Sequence, residues 1–383
     1  MARKLQSDKW LFLASLALVC TSVVMVYSAS TVLALDRNYQ QSHTFVTKQL
    51  MWALLGVALM SIIMRIDYRS YRNERVVWGF LGIATVLLIA VLFSRPVNGT
   101  RRWFGVGGLG IQPSELAKLA AVLFTAMLLD RRMHRVNEIG YSLLPISIVT
   151  GVLAGLILLE PDFGTAVSLL AVTGLTIFAA GLSYRYLAGA VLLSLPALYV
   201  IVMSADYRRR RLLAFLDPWS DPLGDGFQII QSLIAVGTGG VMGRGLMGGV
   251  QKLFYLPEPH TDFIYAVIGE ELGLLGATIV LACFCVIAWR GLRASILAPD
   301  GFGSLLALGL TLMIVLQAFI NISVVLGLMP TKGITLPLVS HGGSSLLINL
   351  AALGVLLNIS QHATADDGAA TPIPQPRWSA GAA

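Results

Sequence analysis

The chain has 383 residues, of which 56% are hydrophobic and only 12% charged, with a mean hydropathy of +0.77. A soluble domain carries about 25% charged residues, so a soluble globular protein is excluded and most of the length belongs in a bilayer. The net charge of +7 carries little weight for a nucleic-acid partner, because basic loops are what orient membrane helices.

A spanning helix needs roughly 20 apolar residues. The apolar runs predict about ten such segments, at 10–34, 48–64, 76–94, 113–130, 142–160, 163–182, 185–204, 262–289, 303–329 and 339–359. The first follows Arg3, Lys4 and Lys9 and has the look of a signal peptide. It is too long for the apolar core of one and lacks a small-x-small cleavage site, which makes it a retained anchor. Cys20, Cys283 and Cys285 sit in apolar runs, as small core or lipid-facing residues rather than disulfide partners or metal ligands. Lys and Arg concentrate on the N-terminal side: Arg65, Arg69, Arg72 and Arg75, then Arg131, Arg132 and Arg135, then Arg185, then Arg290 and Arg293. That bias puts both termini in the cytoplasm. The expected fold class is an all-α polytopic membrane protein, with residues 1–360 as the membrane domain and 361–383 as a disordered cytoplasmic tail.

Residues 205–261, between the seventh and eighth segments, form a large external loop, and loops of that length are usually functional. It opens on Arg208-Arg-Arg-Arg211, which is either a solvated charge run or an anion site, since arginine suits phosphate geometry. Phe215 and Trp219 follow, then Gln228, Gln231 and Ser232, then a glycine-rich run from Gly237 to Gly249. That run has no nucleotide-binding spacing. It either lets backbone approach a ligand or makes a re-entrant bend.

Other outer junctions are polar. Asn98-Gly-Thr-Arg101-Arg102-Trp103 leads into Gln112-Pro-Ser-Glu115-Leu-Ala-Lys118, where Pro113 opens a helix and Glu115 and Lys118 share a face. They form either a structural ion pair or part of a phosphate site. Asp162, in Glu160-Pro-Asp-Phe, suits an N-cap. The last loop holds Lys332, and Ser344 and Ser345 follow a glycine pair, a start that leaves N–H groups free for an anion. A lone His341 reads as a satisfied hydrogen-bonder. No metal-ligand spacing or Gly-x-Ser-x-Gly elbow occurs.

The most unusual stretch is Leu256-Pro-Glu-Pro-His260-Thr-Asp262, which runs straight into an apolar helix bearing Glu270 and Glu271. Each acid in a membrane helix costs roughly 2.5–3.5 kcal/mol on insertion scales. Asp262 is either an N-cap or a chemically active acid beside several cations. Such a site suits an anionic amphiphile with its head outside and its tail in the bilayer, whether the protein transforms that molecule or transports it.

With these motifs the sequence resembles the SEDS family (shape, elongation, division and sporulation), across roughly residues 10–360. The resemblance rests on Asn98 through Trp103, Gln112-Pro-Ser-Glu-Leu-Ala-Lys118, Pro161-Asp-Phe-Gly-Thr165, Arg211 through Trp219, Gln228 through Ser232, Leu256 through Phe263, Gly269-Glu-Glu-Leu-Gly273 and Gly342-Gly-Ser-Ser345. Pro330-Thr-Lys-Gly333 and Gly269-Glu-Glu271 look more like the cell-division branch than the elongation branch. His341 departs from the pattern, which has a tyrosine there.

The resemblance implies a peptidoglycan glycosyltransferase that polymerises lipid II, an undecaprenyl-pyrophosphate-linked disaccharide peptide, outside the cytoplasmic membrane at the division septum. The partners implied are a class B penicillin-binding protein as transpeptidase and other divisome membrane proteins, with no nucleic acid. Flipping of lipid II and an elongation-type polymerase are the alternatives. Asp262 is the expected general base. Arg102, Lys118 and Arg211 are expected at the pyrophosphate, with Gln228, Gln231, Ser232, His260, Lys332, Ser344 and Ser345 as further substrate contacts. Glu115, Asp162, Glu270 and Glu271 support them. No cofactor is assigned; a divalent cation, magnesium or manganese, is compatible with the chemistry, but no ligands for it are marked.

Overall fold

The computed structural model describes residues 7–30, 40–96, 100–106, 109–253, 255–257 and 259–366. Asn98, Gly99, Glu258 and the tail from 367 onward, named above, lie outside them. The chain is an all-α polytopic membrane protein. Twelve α-helices are described, and one short hairpin, β1 (Phe104–Val106) against β2 (Leu109–Ile111), pairs Phe104 with Ile111.

Every apolar run of the sequence is a helix: α1 (Lys9–Ser30), α2 (Gln40–Ile63), α3 (Glu74–Leu92), α4 (Pro113–Arg132), α5 (Leu144–Leu159), α6 (Phe163–Ala179), α7 (Tyr184–Met203), α10 (Ile264–Ile296), α11 (Gly301–Val325) and α12 (Gly343–Asp366). The physical reason is general: a backbone in hydrocarbon must satisfy its own polar groups, which a helix does within one segment. Among the described residues eight helices are long and apolar enough to cross a membrane; α4 and the 17-residue α6 fall outside that set. The last helix runs on to Asp366, past the expected end at 359.

The core sits on α4, α11 and α12. Along α4, Ala117, Ala120, Ala121 and Ala126 are buried, and small side chains let neighbouring helices approach closely. At the other extreme, α7 has no buried residue and stands at the edge of the bundle.

The segment 205–261 is not structureless. It contains α8 (Asp206–Leu216) and α9 (Phe227–Gly239), separated by a 3₁₀ turn at Pro218–Ser220. Beyond α9 the glycine-rich run folds back onto α10, which is broken where Gly273 adopts φ 67°, ψ −165°. The two glycine regions pair through backbone bonds: Arg244 and Gly245 N–H donate to the Glu270 and Glu271 carbonyls at 3.0 Å, and Leu274 N–H to the Gly240 carbonyl at 2.9 Å. A Cβ on Gly243 would stand 2.1 Å from the Glu271 carbonyl oxygen. Gly239, Gly243 and Gly273 are therefore required for close approach to the protein's own backbone.

Candidate functional site

A cavity of about 1120 Å³ opens where the N-terminal ends of α4, α6 and α12 meet the loops before α10 and after α11. Asp262, Arg102, Lys332, Arg211, Gln228, Asp162 and Glu115 all line it. Its far wall is apolar and comes from α7: Leu195, Leu198, Val202 and Met203.

Asp262 is half-buried, two residues before α10. The N-cap position is Phe263, with no side-chain capping bond. The backbone at Asp262 is fixed from other elements. Asn321 Nδ2 donates to the Asp262 carbonyl at 2.8 Å and to the Ile334 carbonyl at 2.7 Å. Ser340 Oγ donates to the Thr261 carbonyl at 2.6 Å, and His341 N–H to the His260 carbonyl at 2.9 Å. The Asp262 loop and the 334–341 loop are thus stitched into one platform.

Arg102 is clamped from behind. Its Nε donates to the Glu160 carbonyl at 3.1 Å and its Nη2 to the Pro161 carbonyl. Nη1 reaches towards Gly333. A Cβ built on Gly333 would lie 3.2 Å from Asp262 Oδ2 and 3.9 Å from Arg102 Nη1, so carboxylate and guanidinium border the same bare stretch of backbone. Lys332 holds its ammonium 5.4 Å from the centre of the Phe163 ring, a favourable cation–π distance, and burial draws its pKa below the usual lysine value.

Two polar networks form the cavity floor. Lys118 Nζ is 2.8 Å from Glu115 Oε1 and donates to Gln317 Oε1 at 2.5 Å; both members of the ion pair are almost fully buried. Gln317 Nε2 donates in turn to the Thr335 carbonyl at 3.0 Å, and Ser345 Oγ to Glu115 Oε2 at 3.3 Å. In the second network Asp162 caps α6, accepting from Thr165 N–H at 3.2 Å and Thr165 Oγ1 at 2.8 Å. Gln112 Nε2 donates to the same carboxylate at 3.3 Å, and Gln112 N–H to Ser344 Oγ at 3.0 Å.

Several expected site residues therefore lie behind the surface rather than on it. Lys118, Ser344 and Ser345 do not line the cavity; Gly342 and Gly343 do. Gln231, Ser232 and His260 are also outside the lining. Ser232 Oγ donates to the Val325 carbonyl at 2.7 Å, and the His260 ring packs edge-on against Phe45. Glu270 and Glu271 are fully buried under the glycine-rich run: Glu270 accepts from Val250 N–H at 2.8 Å, Glu271 from Lys252 Nζ at 2.6 Å and from Ser28 Oγ at 2.7 Å.

Sequence reasoning missed Gln317 and Asn321, which organise the platform from α11. Their signal was present: two amides four residues apart, hence on one face, in an otherwise apolar helix. It also missed Lys48, Trp52 and Tyr199, which line the cavity and carry no motif. Among the described residues no three His, Cys, Asp or Glu side chains gather to hold a metal ion. A magnesium ion is usually held by one or two carboxylates plus substrate phosphates, and Asp262 is the cavity carboxylate that suits such an arrangement.

The chain matches the cell cycle protein family of FtsW, RodA and SpoVE over residues 9–365. It belongs to that family. A probable peptidoglycan glycosyltransferase FtsW of Geobacter metallireducens is 45% identical over 354 residues, covering 92% of this chain and 94% of the relative. Stage V sporulation protein E of Bacillus subtilis is 42% identical over 361 residues, covering 94% and 98%. Among solved structures, a chain described under the structural coordination of polymerization and crosslinking by a peptidoglycan synthase complex superposes with a TM-score of 0.76 at 32% identity, covering 94% of this chain and 99% of that one. The rod shape determining protein RodA of Thermus thermophilus superposes at 0.68 and 29% identity, covering 93% and 97%.

Proposed function

We propose that the chain is a peptidoglycan glycosyltransferase that polymerises lipid II at the outer face of the cytoplasmic membrane, in the septal wall synthesis of cell division. The observation that carries this reading is the approach of Asp262 and Arg102 across Gly333 inside a cavity whose opposite wall is the apolar face of α7. A polar head enters the charged end, and a polyprenyl tail lies along Leu195, Leu198 and Val202 towards the bilayer.

In this reaction the sugar hydroxyl of one lipid II displaces the undecaprenyl pyrophosphate of another. Asp262 takes the hydroxyl proton as general base. Arg102, Arg211 and Lys332 stabilise the negative charge that develops on the leaving pyrophosphate. Arg102 is set for this because two backbone carbonyls hold its guanidinium without neutralising it. Lys118 acts from behind the wall, paired with Glu115, and holds the floor in shape. A divalent cation would add charge stabilisation at the pyrophosphate; no step here is routed through it.

The chain spans the membrane ten times with both termini in the cytoplasm, as its Lys and Arg distribution supports, and residues 205–261 stand outside. A class B penicillin-binding protein is the expected partner, consistent with the likeness to a chain from a complex that couples polymerization and crosslinking. The test is direct. Purified protein with its partner transpeptidase is incubated with labelled lipid II, and the products are run on a gel. Glycan strands support the reading, and their absence under conditions where the complex is intact refutes it.

A further inference from the structure

At the other end of α4, away from the Asp262 cavity, a second hollow of about 440 Å³ opens between α3, α4 and α5. Its floor is Phe124 and Leu128 of α4, its walls Trp78 of α3 and Ile148 of α5. Trp78 stacks edge-on against Phe124 at 5.4 Å, yet stays 53% exposed, and Ile148 is 56% exposed. On spanning helices, such exposure faces hydrocarbon. Nothing in the glycosyl transfer described above uses this groove.

Its rim is charged. Glu74, Arg131 and Arg132 border it where the first turns of α3 and α5 meet the last turn of α4. Most arginines here already face carboxylates: Arg131 pairs with Glu74, Arg72 with Asp130 at 2.8 Å and Arg135 with Glu138 at 3.5 Å. Arg132 is absent from the ion pairs among the described residues. Neutral groups hold it, its Nη1 donating to the Tyr141 carbonyl and its guanidinium lying 4.4 Å from the Tyr141 ring centre. The groove thus joins an apolar, lipid-facing slot to a fixed cation at the membrane edge. Basic pockets between helices on the cytoplasmic side are where anionic lipid head groups bind.

We infer that this groove is a binding site for an anionic phospholipid of the leaflet on this side, with an acyl chain between Trp78 and Ile148 and its phosphate at Arg132. The inference rests on the assignment of this end to the cytoplasmic side, and is independent of the chemistry at Asp262.

Native mass spectrometry of the full chain in detergent, with equal phosphatidylglycerol and phosphatidylcholine, tests it. One arginine near a head group favours an anionic lipid by about fivefold. The wild type should therefore retain about fivefold more phosphatidylglycerol, and Arg132→Gln should abolish that preference. Ile148→Trp, which fills the slot without touching charge, should also reduce phosphatidylglycerol retention. Arg185→Gln, on the same side but outside the groove, should leave it unchanged. Equal retention of the two lipids by the wild type, or a preference that survives both groove variants, overturns the site. So does an equal loss in Arg185→Gln, which would assign the effect to general surface charge.

Discussion

Asp262 Oδ2 and Arg102 Nη1 converge on the same bare point of backbone, 3.2 and 3.9 Å from where a Cβ of Gly333 would be. Gly333 has no positive φ and is exposed to the cavity, so alanine is conformationally allowed there. The added methyl would press on the carboxylate and hold it away from the guanidinium. Misplacement by about 1 Å costs up to roughly a hundredfold in rate. Gly333→Ala is expected to keep its melting temperature while glycan synthesis falls about 10- to 100-fold. Full activity in that variant would show that the spacing is unimportant.

Asp262→Asn separates chemistry from folding. The cap of α10 is at Phe263, and Asn321 binds the backbone carbonyl of residue 262 rather than its side chain. Neither depends on the carboxylate. An amide cannot accept the acceptor's proton, and loss of a general base costs roughly 10²–10⁴ in rate. The variant is expected to insert, melt like the wild type and bind its transpeptidase, yet make no detectable glycan. Near-normal synthesis would remove Asp262 from the base role.

Lys118 and Glu115 stand or fall together. Their 2.8 Å pair is almost fully buried, and Gln317 takes a further bond from the ammonium. Removing one partner strands a buried charge, at a typical cost of about 3–5 kcal/mol, whereas replacing both by apolar residues is often neutral. Lys118→Met alone should lower thermal stability sharply. Adding Glu115→Leu should restore most of it. If the single variant melts as the wild type does, the pair is not holding the floor of the cavity.

The helices were legible in the sequence because apolar runs and membrane spans obey the same constraint, and Pro113 and Asp162 marked helix starts through local chemistry alone. What was not legible depended on which way a side chain faces. Arg102 and Lys118 look alike as outer-edge cations, but one lines the cavity and the other lies behind its wall. Ser344 and Ser345 follow a glycine pair as an anion-binding helix start would, yet their hydroxyls bond Gln112 and Glu115. The break at Gly273 sits in Leu-Gly-Leu-Leu-Gly, where hydropathy is continuous, and only the distant run from Gly239 to Gly245 explains it. Such pairings join residues far apart in sequence, and no local pattern encodes them.

Glu160 offers a test by pH. It lies in the turn just past α5, is fully buried, and neither carboxylate oxygen has a hydrogen-bond partner among the described residues. Burial, reinforced by the nearby Asp162 carboxylate and opposed by Arg102, raises its pKa from 4.5 to about 8. The folded protein therefore binds this proton more tightly than the unfolded chain. The associated stability is fully present below about pH 4.5 and drains away as pH rises through about 8, by up to about 1.4 kcal/mol per pH unit. Glu160→Gln mimics the protonated form and removes the dependence. Because Arg102 is held by the backbone carbonyl of residue 160 and not by this carboxyl, the variant should remain active. Melting curves from pH 5 to 9 should show wild type and variant close together at the acid end. The wild type should then fall progressively behind as the solution becomes alkaline. Parallel curves across the range would mean that Glu160 does not hold its proton in the folded protein.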